Sequence, residues 1–393
     1  MAVPATPADT LNQQRVRQSR SSATFQTIPI LYGESVAQGG IFAIGKTSPT
    51  RWVFGILWGY GPLTYLRNVR LDDELPIGDF SVTNYLGSMT QEVDPTLARA
   101  IINPQYSDNL RGYAYSVVAF DQSDYGSVPN FTAEVGGITG TSNPAVAYRD
   151  FVENDVYGLG GEVDSSAQEI AENFNAEYLD QNEIRHQVGL VVNTPLDAES
   201  WLDILAEYAG CWSNHQGGKY SLKPNWITPI TRNLTANDLI RGGLVAEYLN
   251  LSQVPTTVEV QFSELKEGKI ESRVAVYRTQ SVLRGEENER ISRITMPGII
   301  RYSEAYRYAR TRQQLLNNRE WKLIGLDSLL DITRGDRITY TDDSHALDLH
   351  VAGVPTRSAT GLVELDCYEY RASDYSSEVV STPTFSSGKL VYE

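Results

Sequence analysis

The sequence predicts a β-rich α+β protein in which two β domains flank an α/β domain. Three observations predict it. Residues 25–140 are a succession of short β-branched and aromatic runs separated by Gly, Pro and Asp. Helix-period apolar spacing becomes strong only after Asn143, and strand-like runs return after about residue 236.

The first β region reads FQTIPILYG, GGIFAIG, RWVFGILWGY, LTYLRNVRLDD, GYAYSVVAFD and NFTAEVGG, with one short helical stretch near QEVDPTLARAI. Within it, GIFAIGKT (Gly40 to Thr47) fits the phosphate-loop pattern G-x-x-x-x-G-K-[ST], and VVAFD offers Asp121 as an acidic partner. A phosphate loop needs a helix N-terminus behind it, because successive backbone amides hold the phosphates. Here the variable positions Ile41, Phe42, Ala43 and Ile44 are apolar, and Pro49 and another strand follow Thr47. The expectation is a hairpin, not a nucleotide site.

Asn143 opens the middle region as a cap residue, with Pro144 at the first helical position. In SNPAVAYRDFVENDVYGLG, Val146, Ala147, Phe151 and Val152 share a face, and Gly158 is expected to end the helix. VDSSAQEIAENFNAEYLD predicts a second amphipathic helix with Ile170, Phe174 and Tyr178 spaced by four. The strand HQVGLVVN follows. TPLDAESWLDILAEYAG then stacks Trp201, Ile204, Leu205 and Tyr208 on one face before Gly210. CWSNHQGGKYSLKP predicts a hairpin turning at Gly217-Gly218.

In the last region LVAEYLNL, TTVEVQFSE and ESRVAVYRT predict strands. The helix SEAYRYARTRQQLLNN, with Ala305, Tyr308, Ala309, Leu315 and Leu316 as its apolar side, interrupts them. EWKLIGLDS, DRITYT, LHVAGVPT and LVELDCYEY close the β pattern. The expected division is a flexible arm over 1–24, carrying Arg15, Arg17 and Arg20, then a β domain over 25–140 and an α/β domain over 141–235. A second β domain with one long helix covers 236–375, and a linker or docking tail 376–393.

Composition narrows the function classes. The 393 residues hold 33 Lys+Arg against 49 Asp+Glu, a net charge of -16. That argues against a protein that grips phosphate backbones, which requires clustered positive charge. It allows one past which DNA must slide. No apolar run approaches the roughly 18 residues of a membrane span, and the N-terminus lacks the apolar core of a secretory signal. Cys211 and Cys367 are too few for a disulfide framework and are expected to be free, buried thiols.

DDSHALDLH gathers Asp342, Asp343, His345, Asp348 and His350, all possible metal ligands, but lies between two strands where an acidic hairpin loop is expected. His186 and His215 have no Cys or Ser neighbour that would make a nucleophile–base pair. The acid pairs Glu153/Asp155 and Glu286/Glu287 are the kind expected by chance among 49 acids. The 23 tyrosines suit a subunit interface, and also sugar stacking. No catalytic, cofactor or metal site is expected.

The segment NPAVAYRDFVENDVYGLG resembles a motif of phage tail-tip hub proteins, the central tail hub or tip attachment protein J family of long-tailed phages. The residues carrying it are Asn143, Pro144, Tyr157 and Gly158. PLDAESWLDILAEYAGCWSNHQGGKYSLKPNW is similar to that family's helix and hairpin. GIIRYSEAYRYARTRQQLLNNREWKLIGLDSLLDITRGDRITY is similar to its long helix, strand and P-G-D turn, with Arg334 in place of the proline before Gly335 and Asp336. IPILYGES, GPLTYLRNVRLDD and LRGYAYSVVAFDQSDYGSVPNFTAEVGG resemble its N-terminal domain, so the likeness runs in order over about residues 25–375.

The resemblance implies a structural virion protein with two domains related to the tail-tube β fold, forming a homotrimer that presents a ring to the tube. It implies as neighbours the tail tube or distal tail protein, the tape measure and other tail-tip proteins, and a receptor-binding fibre. The expected location is the tail tip, after synthesis in the host cytoplasm. Long members of the family continue into fibre regions, whereas this sequence stops at Glu393.

DNA is expected to pass without specific binding. Between residues 141 and 200 there are 12 acids against Arg149 and Arg185, and Glu162, Asp164, Glu169 and Glu172 are candidate lumen residues, or equally an ordinary solvated helical surface. The competing classes are a tail-associated cell-wall hydrolase, which needs a convergent acid pair or metal site, and a carbohydrate-binding β protein.

Overall fold

A computed structural model describes residues 27–381, apart from 103, 126, 195, 248–253 and 267–268. The expected arm with its three arginines, and the end of the C-terminal tail, lie outside the described residues.

The first region is strand-built. Strands β1 (Ile30–Gln38), β2 (Gly40–Lys46), β3 (Arg51–Tyr60), β4 (Tyr65–Leu71) and β5 (Ser81–Tyr85) precede the short helix α1 (Pro95–Ala100). Strands β6 (Tyr113–Asp121) and β7 (Phe131–Gly136) follow. One sheet runs β2-β3-β6-β5. Its inner face, with Phe54, Ile56, Trp58, Val118 and Phe120, packs on Leu31, Leu66, Phe131, Ala133 and Val135 of a second sheet. Its outer face packs Val53, Tyr115 and Val117 on Leu97 of α1. Asp94 caps α1 by accepting from the amides of Thr96 and Leu97.

The middle region supplies α2 (Pro144–Glu153), β8 (Glu162–Val163), α3 (Ser165–Ala176), β9 (Gly189–Val192), α4 (Ala198–Tyr208), β10 (Cys211–Gln216) and β11 (Lys219–Pro224). β9 completes the second sheet, whose order is β4-β7-β1-β9. β1 therefore serves two cores: Leu31 faces the sandwich, while Ile30 and Tyr32 face the helices. The β10–β11 hairpin turns at Gly217 and Gly218, both with positive φ, as the Gly-Gly pair predicts.

The last region holds β12 (Ile230–Thr235), β13 (Leu239–Glu247), β14 (Thr257–Lys266), β15 (Lys269–Arg278), α5 (Gln280–Leu283), β16 (Ile291–Met296), α6 (Tyr302–Leu315), β17 (Glu320–Gly325), β18 (Arg337–Thr341), β19 (Ala346–Val351), β20 (Thr356–Arg357) and β21 (Val363–Glu369). A seven-stranded sheet runs β12-β18-β19-β21-β17-β13, with β20 on β21, around Leu323, Ile338, Leu349, Val351, Val363 and Leu365. The three strands β15-β14-β16 form a separate sheet. Val258, Val260, Phe262, Ala275 and Met296 on that sheet, with Ala305 and Ala309 of α6, join the same core as Tyr148, Phe151, Trp201 and Leu205.

Three local expectations are corrected. The helix from Pro144 stops at Glu153 with Asn154 as its C-cap, so Gly158 does not end it. In α3 the buried face is Gln168, Ala171 and Asn175; Ile170 is 59% exposed and Tyr178, beyond the helix, 67%. The reason is hydrogen bonding: Gln168 Nε2 reaches the Ala145 carbonyl and Asn175 Nδ2 the Ala171 carbonyl, which makes polar burial tolerable. In α6 the buried residues include Ser303, Glu304, Arg307 and Gln313 beside Ala305 and Ala309, whereas Tyr308, Leu315 and Leu316 are only partly buried.

Candidate functional site

The residues of the Asn143 motif converge on one joint. Asn143 Oδ1 accepts from the amides of Ala145 and Val146, while its Nδ2 donates to the Glu172 carbonyl of α3 at 2.9 Å. Asp150 Oδ2 accepts two tyrosine hydroxyls, Tyr157 of the motif and Tyr32 of β1, each at 2.9 Å. Burial first, then the Asp150 charge, pushes both phenols above their ordinary range, so they stay protonated donors. Asn154 Oδ1 holds the turn by accepting from the amides of Val156 and Tyr157. At Gly158 the chain crosses so closely that a Cβ would stand 2.1 Å from the Phe151 carbonyl oxygen. The motif thus ties α2 to β1 and α3.

The second motif is a joint as well. Gly335, at φ +86, turns the chain into β18, and a Cβ there would press within 2.6 Å of the Trp212 ring. Asp336 accepts from the Thr333 amide at 2.7 Å, the Thr333 hydroxyl at 3.0 Å and Lys223 Nζ at 2.9 Å. Burial opposes the charge on Asp336, but Lys223 and Thr333 outweigh it and hold the carboxyl below its ordinary range. Arg334, which departs from the proline of the family pattern, lies 4.4 Å over the Trp212 ring, donates to the Ala352 carbonyl and faces Asp203 at 3.6 Å. The turn so pins the β10–β11 hairpin to the seven-stranded sheet. Behind it, buried His350 bridges the Gly335 carbonyl through Nε2 at 2.9 Å and the Tyr368 hydroxyl through Nδ1 at 2.7 Å.

The four candidate lumen acids lie close together on β8 and α3, but in different settings. Glu162 is exposed, 3.6 Å from Lys219, and Asp164 caps α3 by accepting from the amides of Ser166 and Ala167. Glu172 is partly buried, pairs with Arg149 at 3.0 Å and accepts from Gln168. Glu169 is exposed.

The candidate chemical sites dissolve into structure. Gly40–Lys46 is the expected strand, hairpinned to β3, and Lys46 Nζ sits 4.1 Å over the Trp52 ring. Of the DDSHALDLH group, Asp342 accepts from the amides of Ser344 and His345, which bring its carboxyl down to about 2. Asp348 is paired with Arg337 at 2.6 Å, and His350 is buried at the Gly335 turn. Among the described residues no three His, Cys, Asp or Glu side chains are grouped to hold a metal ion. Cys211 and Cys367 are free and buried, and burial pushes both thiols up, away from nucleophilic thiolate.

Sequence reasoning missed one arrangement. A cavity of about 300 Å³ lies between α4, α6 and the start of β10, with Arg185, His186, Trp226, Glu304 and Arg307 among its walls. Most of its ionisable groups are paired with one another or with near neighbours. His186 Nδ1 meets Glu304 at 3.2 Å, Tyr308 donates to Glu207, and Arg307 meets Glu183. Arg185 meets Glu177 at 2.5 Å and lies over the rings of Phe174 and Trp226. Burial pushes the His186 imidazole down despite the Glu304 carboxylate. These contacts clamp α6 to α4 and to the segment before β9, and none pairs a nucleophile with a base. Apolar periodicity gave no signal for it: at about 100° per residue, Ser303, Glu304 and Arg307 fall across α6 from Ala305 and Ala309, and both sides are buried.

Comparison with known proteins bears on the fold. No protein-family model matches the chain, and no curated protein does. Among solved structures, it is similar to a chain of the virion of a native gene transfer agent particle, at 15% identity and a TM-score of 0.65, over 91% of this chain and 87% of that one. The 43 kDa tail protein of prophage MuSo2 from Shewanella oneidensis aligns at 9% identity and a TM-score of 0.36, over 89% of this chain and 100% of that one. Prophage tail protein gp18 from Listeria monocytogenes EGD-e aligns at 11% and 0.32, over 86% and 94%. The first likeness establishes a shared β-rich α+β fold along nearly the whole chain; the other two are too distant to add to it.

Proposed function

We propose that this chain is a structural subunit of a phage-type tail, placed at the tail tip as a baseplate hub. The observation that carries the reading is the fold shared with a gene transfer agent virion chain over 91% of the residues. The tail-tip motifs support it, since Asn143, Tyr157, Gly158, Gly335 and Asp336 occupy joints between elements. A non-enzymatic role fits the pairing of the candidate acids and histidines with structural partners.

In this reading three copies close a ring against the tail tube, scaffold a host-recognition fibre and leave a channel for DNA. Ring closure would cover strand edges that are otherwise a liability. Glu162 of β8 and Glu169 of α3 are both exposed, and the pair Glu162 makes with exposed Lys219 is a surface one, so these are the acids best placed to face a channel at little cost to the fold. Image reconstruction of particle tails, with this chain tagged, tests the assignment. Three tagged copies at the tail tip are expected; two or six copies, or a position along the tube, would overturn it.

A further inference from the structure

The chain beyond the last sheet runs along the edge of the cavity beside α6, lining it at Tyr375 and Ser376. Its root is fixed: the Tyr375 hydroxyl meets Asn225 at 3.1 Å and His350 at 3.3 Å, and Asp374 accepts from Asn318 at 2.5 Å. From residue 376 the character changes. Ser376 and Glu378 accept from Arg310 at 3.0 and 2.6 Å, Ser377 accepts from Arg185 at 3.3 Å, the Glu378 carbonyl lies 3.5 Å from Arg307, and the Val380 amide donates to Ser303 at 3.1 Å.

Every one of these contacts uses a side chain. Among the described residues, no backbone–backbone hydrogen bond ties 376–381 to the body. Ser377, Glu378, Val379 and Ser381 are exposed. Two of the three arginines underneath keep their own partners: Arg307 retains Glu183 and the Arg185 carbonyl, and Arg185 retains Glu177 and its two aromatic rings, while Arg310, its side chain 27% exposed, exchanges Ser376 and Glu378 for water. Lifting the segment therefore leaves neither Arg307 nor Arg185 without a partner, which is the usual obstacle to opening a polar cover. Tyr375 and Ser376 line the cavity that also contains Cys211, and Val379 to Ser381 line a second one against Glu34, Gln187 and Arg301.

We propose that residues 376–381 are a releasable strap, hinged after Tyr375, that edges the Arg185–His186–Glu304 cavity, lining it at Ser376 and bonding its arginines through Ser377 and Glu378, and lifts from α6 without unfolding it. The arrangement follows the general pattern that segments with few buried apolar contacts and solvent-exposed hydrogen bonds open locally at far lower cost than the core. This inference does not rest on the tail-tip reading.

The test uses the full chain and the Glu378→Lys variant, which sets a cation against Arg310. Amide exchange read by mass should show 377–381 exchanging at least about tenfold faster than the centre of α6. Labelling of Cys211 by N-ethylmaleimide should rise several-fold in the variant, while Cys367, inside the seven-stranded sheet, stays at its wild-type rate. Strap amides as slow as α6 would overturn the proposal. So would an unchanged Cys211 rate, or an equal rise at both cysteines, which would mean general loosening.

Discussion

Lowering the pH should weaken this protein through His350. The ring is buried among Tyr368, Tyr370, Tyr375 and Trp212, with Nε2 committed to the Gly335 carbonyl and Nδ1 to the Tyr368 hydroxyl. Burial pushes its pKa down to about 4; the Gly335 carbonyl and Asp336 pull the other way, and Lys223 and Arg337 add to the fall. An unfolded histidine titrates near about 6.5. The folded state thus prefers the neutral ring, and its stability is complete above about pH 6.5 and drains as the pH falls towards 4. At about 1.4 kcal/mol per unit, the whole shift is worth about 3 kcal/mol, of which about 2 kcal/mol is lost between pH 7 and pH 5. His186, also lowered by burial, acts in the same direction.

Carboxylates titrate in the same window, so the readout is a difference between two chains. His350→Gln keeps a donor and an acceptor but cannot charge. Urea unfolding at pH 7 and pH 5, followed by tryptophan fluorescence, should show a loss about 2 kcal/mol smaller in the variant. An identical loss in both chains would refute the reasoning. So would a His350 ring resonance that titrates near 6.5 in the folded protein.

Gly158→Ala should destabilise by about 3 kcal/mol, because the new Cβ meets the Phe151 carbonyl at 2.1 Å and backbone must move; a melting temperature close to wild type would contradict that geometry. Asn143→Ala removes a helix cap and the link to Glu172, and should cost about 1–2 kcal/mol in denaturant titration, whereas Asn143→Asp, which can cap but cannot donate to Glu172, should fall between. If Glu162 and Glu169 face the channel, reversing both to Lys should slow DNA release from particles while tails still assemble, since cations in a channel bind phosphate and add drag. Release at the wild-type rate would remove these acids from the lumen.

Much of the architecture was legible because it is written in apolar periodicity and turn residues. α4 shows Trp201, Ile204, Leu205 and Tyr208 at helical spacing, and all four are buried. The Gly217-Gly218 turn and the Asn143-Pro144 helix start declare themselves in the same way. Hydropathy failed where burial is achieved by polar side chains that satisfy each other. Gln168 and Asn175 bury in α3, and Glu304 and Arg307 in α6, because each finds a hydrogen-bond partner more than twenty residues away or a turn back along the helix. A pattern reader sees only charge and assigns solvent. The histidines of DDSHALDLH illustrate the same limit. His345 stays at the loop beside Asp342, while His350, five residues on, enters the interior, and only the fold reveals that Gly335 and Tyr368 await it.

The shared strand β1 has a consequence for how the molecule can be made. Ile30–Gly33 pairs with Gly189–Val192, and Glu34–Gln38 pairs with residues 132–136, so one early strand waits for two late partners. On the ribosome, the sheet built around β1 cannot be finished until more than 150 further residues have been synthesised, a long-range closure of the slow kind. A fragment ending at residue 140 would emerge with the Ile30–Gly33 edge bare and with Ile30 and Tyr32 facing water instead of the helical core. Dissection at that point would yield a sticky edge strand, not an independent module. Grafting, truncation or tagging should therefore respect the span from β1 to β9 as one indivisible unit.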